Sequence, residues 1–114
     1  MNVYEVRLSE PAESDIDSHY QFLFMRDPRL ADTWRTLLTE VVASLSELPH
    51  RCSIAPESGR FQQVIRQLWF GSRNSSWRIV YTVIEDASTD TYLVKILRVR
   101  HHAQAPLGAE DAAG

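Results

Sequence analysis

A chain of 114 residues, 44% hydrophobic and 24% charged, has apolar content for one modest core and length for one domain. No apolar run approaches the ~18–20 residues of a membrane span, and no charged-then-apolar leader is read at the amino end, so a cytoplasmic protein without membrane contact is expected. Cys52 is the only cysteine, which excludes an internal disulfide and a thiolate metal cluster within one chain, and the net charge of −3 argues against indiscriminate coating of nucleic acid.

Taken in chain order, Val3 to Leu8 alternates well enough for a short strand, and Ser9 followed by Glu10 and Pro11 signals a helix start. Ala12, Ile16, Tyr20 and Leu23 then recur at helical spacing, with Glu13, Asp15 and Asp17 near the positive end of the helix dipole. Asp27-Pro28 caps a second predicted helix. Its apolar stripe comprises Leu30, Ala31, Trp34, Leu37, Leu38, Val41, Leu45 and Leu48, and Pro49 stops it. Trp34 lies inside that stripe and is expected in the core rather than against a ligand.

From His50 to Gln63 the composition turns to Arg, Ser, Pro and Gly without a period, which predicts an irregular crossing from helices to sheet. Val64–Phe70, Trp77–Glu85 and Tyr92–His101 follow as β-rich runs joined by short polar connections, the pattern of an antiparallel meander. The expected fold class is therefore α+β: a strand, a two-helix hairpin, then three antiparallel strands, with the helices packed on one face of the sheet and the other face left for function. Residues 1–103 form the single expected domain, and the small, polar stretch 104–114 is expected to be a flexible tail.

Charge is unevenly distributed. Residues 1–50 carry nine acidic and four basic side chains, whereas residues 51–105 carry eight basic and four acidic ones, which points to an anionic or acidic partner on one face. Strand alternation puts Arg78, Val80, Thr82 and Ile84 on one face, with Trp77, Ile79, Tyr81 and Val83 on the other. In the last strand it groups Arg98, Arg100 and His102 against Lys95, Leu97, Val99 and His101. Arg66, Arg78 and Arg98 or Arg100 can thus converge with a histidine into a concave patch suited to phosphate oxygens or to carboxylates of another protein. The plain alternative is that each arginine pairs with an acid such as Glu40, Glu85 or Asp86. Adjacent His101 and His102 point to opposite faces of a regular strand and make a poor metal site, but either could move a proton near neutral pH. Tyr81 is expected in the core and Tyr92 at the sheet rim. No phosphate-binding glycine loop, nucleophile elbow or paired metal-ligand motif is present, and no cofactor is expected.

The fragments Val6-Arg7-Leu8-Ser9 before Ala12-x-x-Asp15-Ile16, Leu45-x-x-Leu48-Pro49, Ile65-Arg66-Gln67-Leu68, Trp77-Arg78-Ile79-Val80-Tyr81 and Val94 to His101 occur in an order and spacing that resemble the RelE/ParE toxin superfamily. The resemblance runs from Val3 to about Leu107. It implies the toxin of a type II toxin–antitoxin module, held inactive by a cognate antitoxin in a hetero-oligomer. RelE-like members cut messenger RNA on the ribosome, and the resemblance would make Arg78 the phosphate stabiliser and His101 or His102 the proton donor. ParE-like members inhibit DNA gyrase by binding and need no catalytic set. Lys95 is the sole lysine, no tyrosine follows the last strand, and the chain is acidic, departures that tilt the reading toward the ParE-like branch. An inactive relative serving as an interaction module is the third reading. On all of them the surface residues are Arg66, Arg78, Arg98, Arg100, His101 and His102.

Overall fold

The computed structural model describes residues 3–72 and 75–108. Strand β1 (Glu5–Leu8) leads into helix α1 (Glu10–Arg26), helix α2 (Pro28–Ser44) and strands β2 (Arg66–Ser72), β3 (Ser75–Asp86) and β4 (Thr91–His101). The sheet order is β1-β4-β3-β2, with β1 parallel to β4 and the other pairs antiparallel. This is the expected α+β arrangement. No helix among the described residues is long and apolar enough to cross a membrane.

Local chemistry accounts for the helix boundaries. The Ser9 hydroxyl accepts the Ala12 amide and Pro11 occupies the first turn, where its missing N–H costs nothing. Asp27 ends α1 and caps α2, its carboxylate accepting the Arg29 amide at 3.0 Å. The α2 stripe is narrower than its periodicity predicts: Ala31, Trp34, Leu38 and Leu45 are buried, while Leu30, Leu37 and Leu48 are exposed. The helix stops at Ser44, and Leu48 takes a left-handed conformation (φ 49°) that carries it away from the helical face.

The main core lies between the hairpin and the sheet. Trp77, Ile79 and Tyr81 of β3 meet Val94, Ile96 and Val99 of β4 and the buried faces of α1 and α2. Tyr81 is fully buried and its hydroxyl donates to the Pro49 carbonyl at 2.6 Å, as its expected core position requires. Tyr92 is half-buried at the rim against Tyr4. Gly71 has φ 101°, and a Cβ there would sit 2.5 Å from the Ser75 carbonyl oxygen, so the start of the β2–β3 hairpin demands glycine.

Two features depart from the sequence expectation. First, the β3–β4 register shifts between Val80 and Tyr81, which pair with Arg98 and Ile96 and leave Leu97 as the extra residue of a bulge. Leu97 and Val99, expected on one face, therefore belong to different clusters, Val99 to the helix-side core and Leu97 to the opposite side. Second, that opposite face is not left open. Val80 and Leu97 are apolar there and are covered by Ala55, Ile65 and Leu107, with Phe61 packed alongside. The crossing segment, expected to be irregular, contains two short 3-10 turns, Pro49–Arg51 and Pro56–Arg60.

Strand β1 covers β4 only along Leu93–Ile96. Beyond it, α1 supplies side chains to the strand edge: the Ser9 hydroxyl donates to the Leu97 carbonyl (2.9 Å), Asp15 accepts the Val99 amide (2.9 Å), and His19 Nε2 donates to the Val99 carbonyl (3.1 Å). Asp15 also takes Arg98 in a two-point ion pair at 2.7 and 2.8 Å. Asp15→Ala removes the carboxylate that accepts from both the Arg98 guanidinium and the Val99 strand amide, and is expected to lower stability by roughly 2–4 kcal/mol in urea unfolding. A loss under about 0.5 kcal/mol, the size of an ordinary surface change, would show that the edge does not need this cap.

Candidate functional site

The six residues singled out by sequence do not form one patch. Arg66 donates to the carbonyls of His50 (3.2 Å) and Cys52 (2.8 Å) and so holds the start of the crossing segment against β2. Arg98 is turned to the β4 edge by the bulge and bound by Asp15. Arg100 donates to the Ala105 carbonyl at 2.7 Å. Arg78, His101 and His102 do come together, lining a cavity of about 310 Å³ with Trp69, Gln67 and Glu57 among its other walls.

Arg78 is buried, as few arginines are without a partner. Its Nη1 donates to Glu57 Oε1 (2.9 Å) and to Gln67 Oε1 (3.0 Å), while Nη2 donates to Glu57 Oε2, giving a fork-on-fork pair. The guanidinium also lies 5.9 Å from the Trp69 ring centroid. Glu57 is itself buried; the Arg78 guanidinium, with help from the Leu107 amide, pulls its carboxyl down to about 2 against burial, which works in the other direction. The expected acidic partners Glu40, Glu85 and Asp86 are not the ones used. Glu85 instead accepts the Tyr4 hydroxyl and faces His50, and Asp86 caps the β3–β4 turn through Ser88.

The histidines sit where the strand ends. The chain leaves β geometry after His101, so the two rings lie 4.1 Å apart rather than on opposite faces. His101 packs edge-on against Trp77 at 4.7 Å, and its Nδ1 accepts the Ala103 amide. Burial, and then the neighbouring His102 and His19, lower its pKa; burial likewise lowers that of His19. His102 is exposed and reaches the Ser76 carbonyl through Nδ1.

These shifts predict a pH profile. For His19 and His101 the folded pKa lies below the unfolded value of 6.5, so the unfolded chain binds protons first and stability falls as pH drops below that value. Glu57 adds a second loss, because stability present above its ordinary value of 4.5 disappears as pH falls toward about 2. Urea unfolding at stepped pH should show a decline that sets in as pH falls through 6.5 and a further one as it falls below 4.5. A flat profile across the first window would contradict the burial of the two imidazoles.

Sequence reasoning did not find Glu57, Gln67 or Trp69. Glu57 lies in a segment without periodicity, and nothing in one dimension pairs it with a residue 21 positions later. Trp69 carried a usable signal, an aromatic on an edge strand, where it is 47% exposed.

Chemically the cavity offers an aromatic wall, the side-chain amides of Gln67 and Gln104, the imidazoles of His101 and His102, and two cations, Arg78 with its charge matched by Glu57 and Arg60 donating to the Leu107 carbonyl. Compared with known families, residues 6–106 match the family described as the ParE toxin of the type II toxin–antitoxin system parDE. No individual curated protein matches the chain significantly.

Proposed function

The chain belongs to the ParE toxin family of type II toxin–antitoxin systems, and from that premise we propose that it arrests growth in the cytoplasm by binding and inhibiting DNA gyrase rather than by cutting RNA. A type II system implies a protein antitoxin as partner.

The observation that carries the gyrase reading is the state of Arg78. A phosphate stabiliser needs a cation free to meet charge developing on the substrate, whereas this guanidinium is engaged by Glu57 and Gln67 in a buried pair. The proton donor that RNA cleavage would need is equally poorly served. An acid working at neutral pH must be protonated there, and His101 is biased toward its neutral form with Nδ1 already accepting an amide. Binding to a protein target makes neither demand.

On this reading Arg78 is a positioning residue for the cavity wall, Arg100, His101 and His102 form the target-facing rim, and Arg66 and Arg98 brace the fold, the first through the His50 and Cys52 carbonyls and the second through Asp15. The antitoxin covers or displaces part of that surface in a toxin–antitoxin hetero-oligomer.

The test is to induce the protein without its antitoxin and follow DNA synthesis, translation and message integrity through the first minutes of arrest, alongside supercoiling by purified gyrase. DNA synthesis should fail first with messages intact, and supercoiling should be inhibited in vitro. Immediate translational arrest with cleaved messages would overturn the proposal and return Arg78 and the histidines to catalytic roles.

A further inference from the structure

After β4 the chain turns at His101–Gln104 and runs back over the sheet. Residues 103–106 are exposed, but Leu107 is 1% exposed, seated among Ala55, Ile65, Val80 and Leu97. No strand pairs with this segment in the described sheet. Its backbone is held by side chains: Glu57 accepts the Leu107 amide (3.2 Å), Arg60 donates to the Leu107 carbonyl (3.1 Å), and Arg100 donates to the Ala105 carbonyl.

Reading both polar groups of one residue while burying its aliphatic side chain is how a protein surface recognises an extended peptide: main-chain bonds supply affinity and the pocket supplies selectivity. Pro106 keeps the approaching chain extended, since its ring fixes φ and it has no amide to satisfy. The attachment is also local. Among the described residues the strap's one buried side chain is Leu107, bonds from long side chains hold its backbone, and residues 103–106 before it are exposed, the contact pattern of a segment that opens without global unfolding.

We propose that the Leu107 socket is a peptide-binding site, occupied in cis by the chain's own C-terminal strap and able to take in trans an extended segment of the same chemistry: small residue, proline, buried aliphatic. The Glu57–Arg78 pair builds its polar wall, so occupancy of the socket and the shape of the neighbouring cavity are linked through Glu57. The inference goes beyond the gyrase reading and stands or falls separately from it.

The experiment uses the full chain carrying Leu107→Ser, which empties the socket but keeps the strap. A fluorescent peptide spanning residues 103–114 should bind this variant at least ~10-fold more tightly than wild type, where the tethered strap competes at an effective concentration of about millimolar. The same peptide with aspartate in place of its leucine should not bind. A folded variant that ignores the peptide at millimolar concentration, or wild type that binds it equally well, overturns the proposal. Hydrogen exchange on the unaltered protein decides the matter even if the variant fails to fold. The Leu107 amide should exchange at least ~100-fold faster than those of Ile79 and Val99, and equal protection would make the strap an integral part of the core.

Discussion

Replacing Glu57 by alanine is expected to lower folding stability by roughly 3–5 kcal/mol, the cost of leaving a buried charge without its partner. Among the described residues Arg78 would keep only Gln67 as a hydrogen-bond acceptor, and the Leu107 amide would lose the carboxylate that satisfies it. The same pair should add much less than that loss relative to an apolar replacement, because desolvating two charges consumes most of their attraction. The double substitution Glu57→Leu with Arg78→Met should therefore recover much of the stability lost in Glu57→Ala. Urea denaturation of the single and double variants checks both statements. A double variant as unstable as the single one would locate the damage in the shape of the cavity wall rather than in the orphaned charge. The functional expectation differs in sign: Glu57→Gln releases Arg78 from its counter-charge, so a gain in anion affinity would show how far this cation is held back in the native protein.

Trp77→Ala should have an effect of similar size, about 3–5 kcal/mol for truncating a buried indole. Trp77 is 5% exposed and touches three aromatic neighbours, His19 at 4.5 Å, His101 at 4.7 Å and Trp34 at 5.2 Å between ring centroids. It thus joins both helices to the end of the sheet at which the candidate site begins. A second readout separates this role from generic core loss. Removing the indole opens His101 to water, and since burial is the foremost reason its pKa is low, the value followed by NMR should climb toward 6.5. A destabilised variant whose His101 titration has not moved would mean that Trp77 does not shield that ring.

Much of the architecture was legible in one dimension because it rests on local rules. Ser9, Asp27 and the two prolines placed both helix starts, and polar breaks bounded three β runs whose observed limits differ by at most two residues. The helix-side face of β3 followed from alternation alone. Alternation failed in β4, where one extra residue at Leu97 reversed the facing of its neighbours, since nothing in the residue types announces a bulge set by pairing with β3. The stripe of α2 was overread at Leu48 for a related reason: periodicity shows which residues could share a face but not where the helix stops.

At the candidate site the division is sharper. Residue identity alone marked Arg78 as a cation set in an apolar strand, and so as a residue that must find a partner. Which partner it finds was decided only by the fold, because Glu57 reaches it from a turn without periodicity and Asp15 reaches Arg98 across 83 positions. The sequence by itself determined the element order, the hairpin caps and the helix-side core, all of them consequences of spacing within a few residues. The tertiary structure decided which charges meet, which face of the sheet is covered and where Leu107 is buried, because ion pairing and burial depend on distances through space that chain separation does not encode.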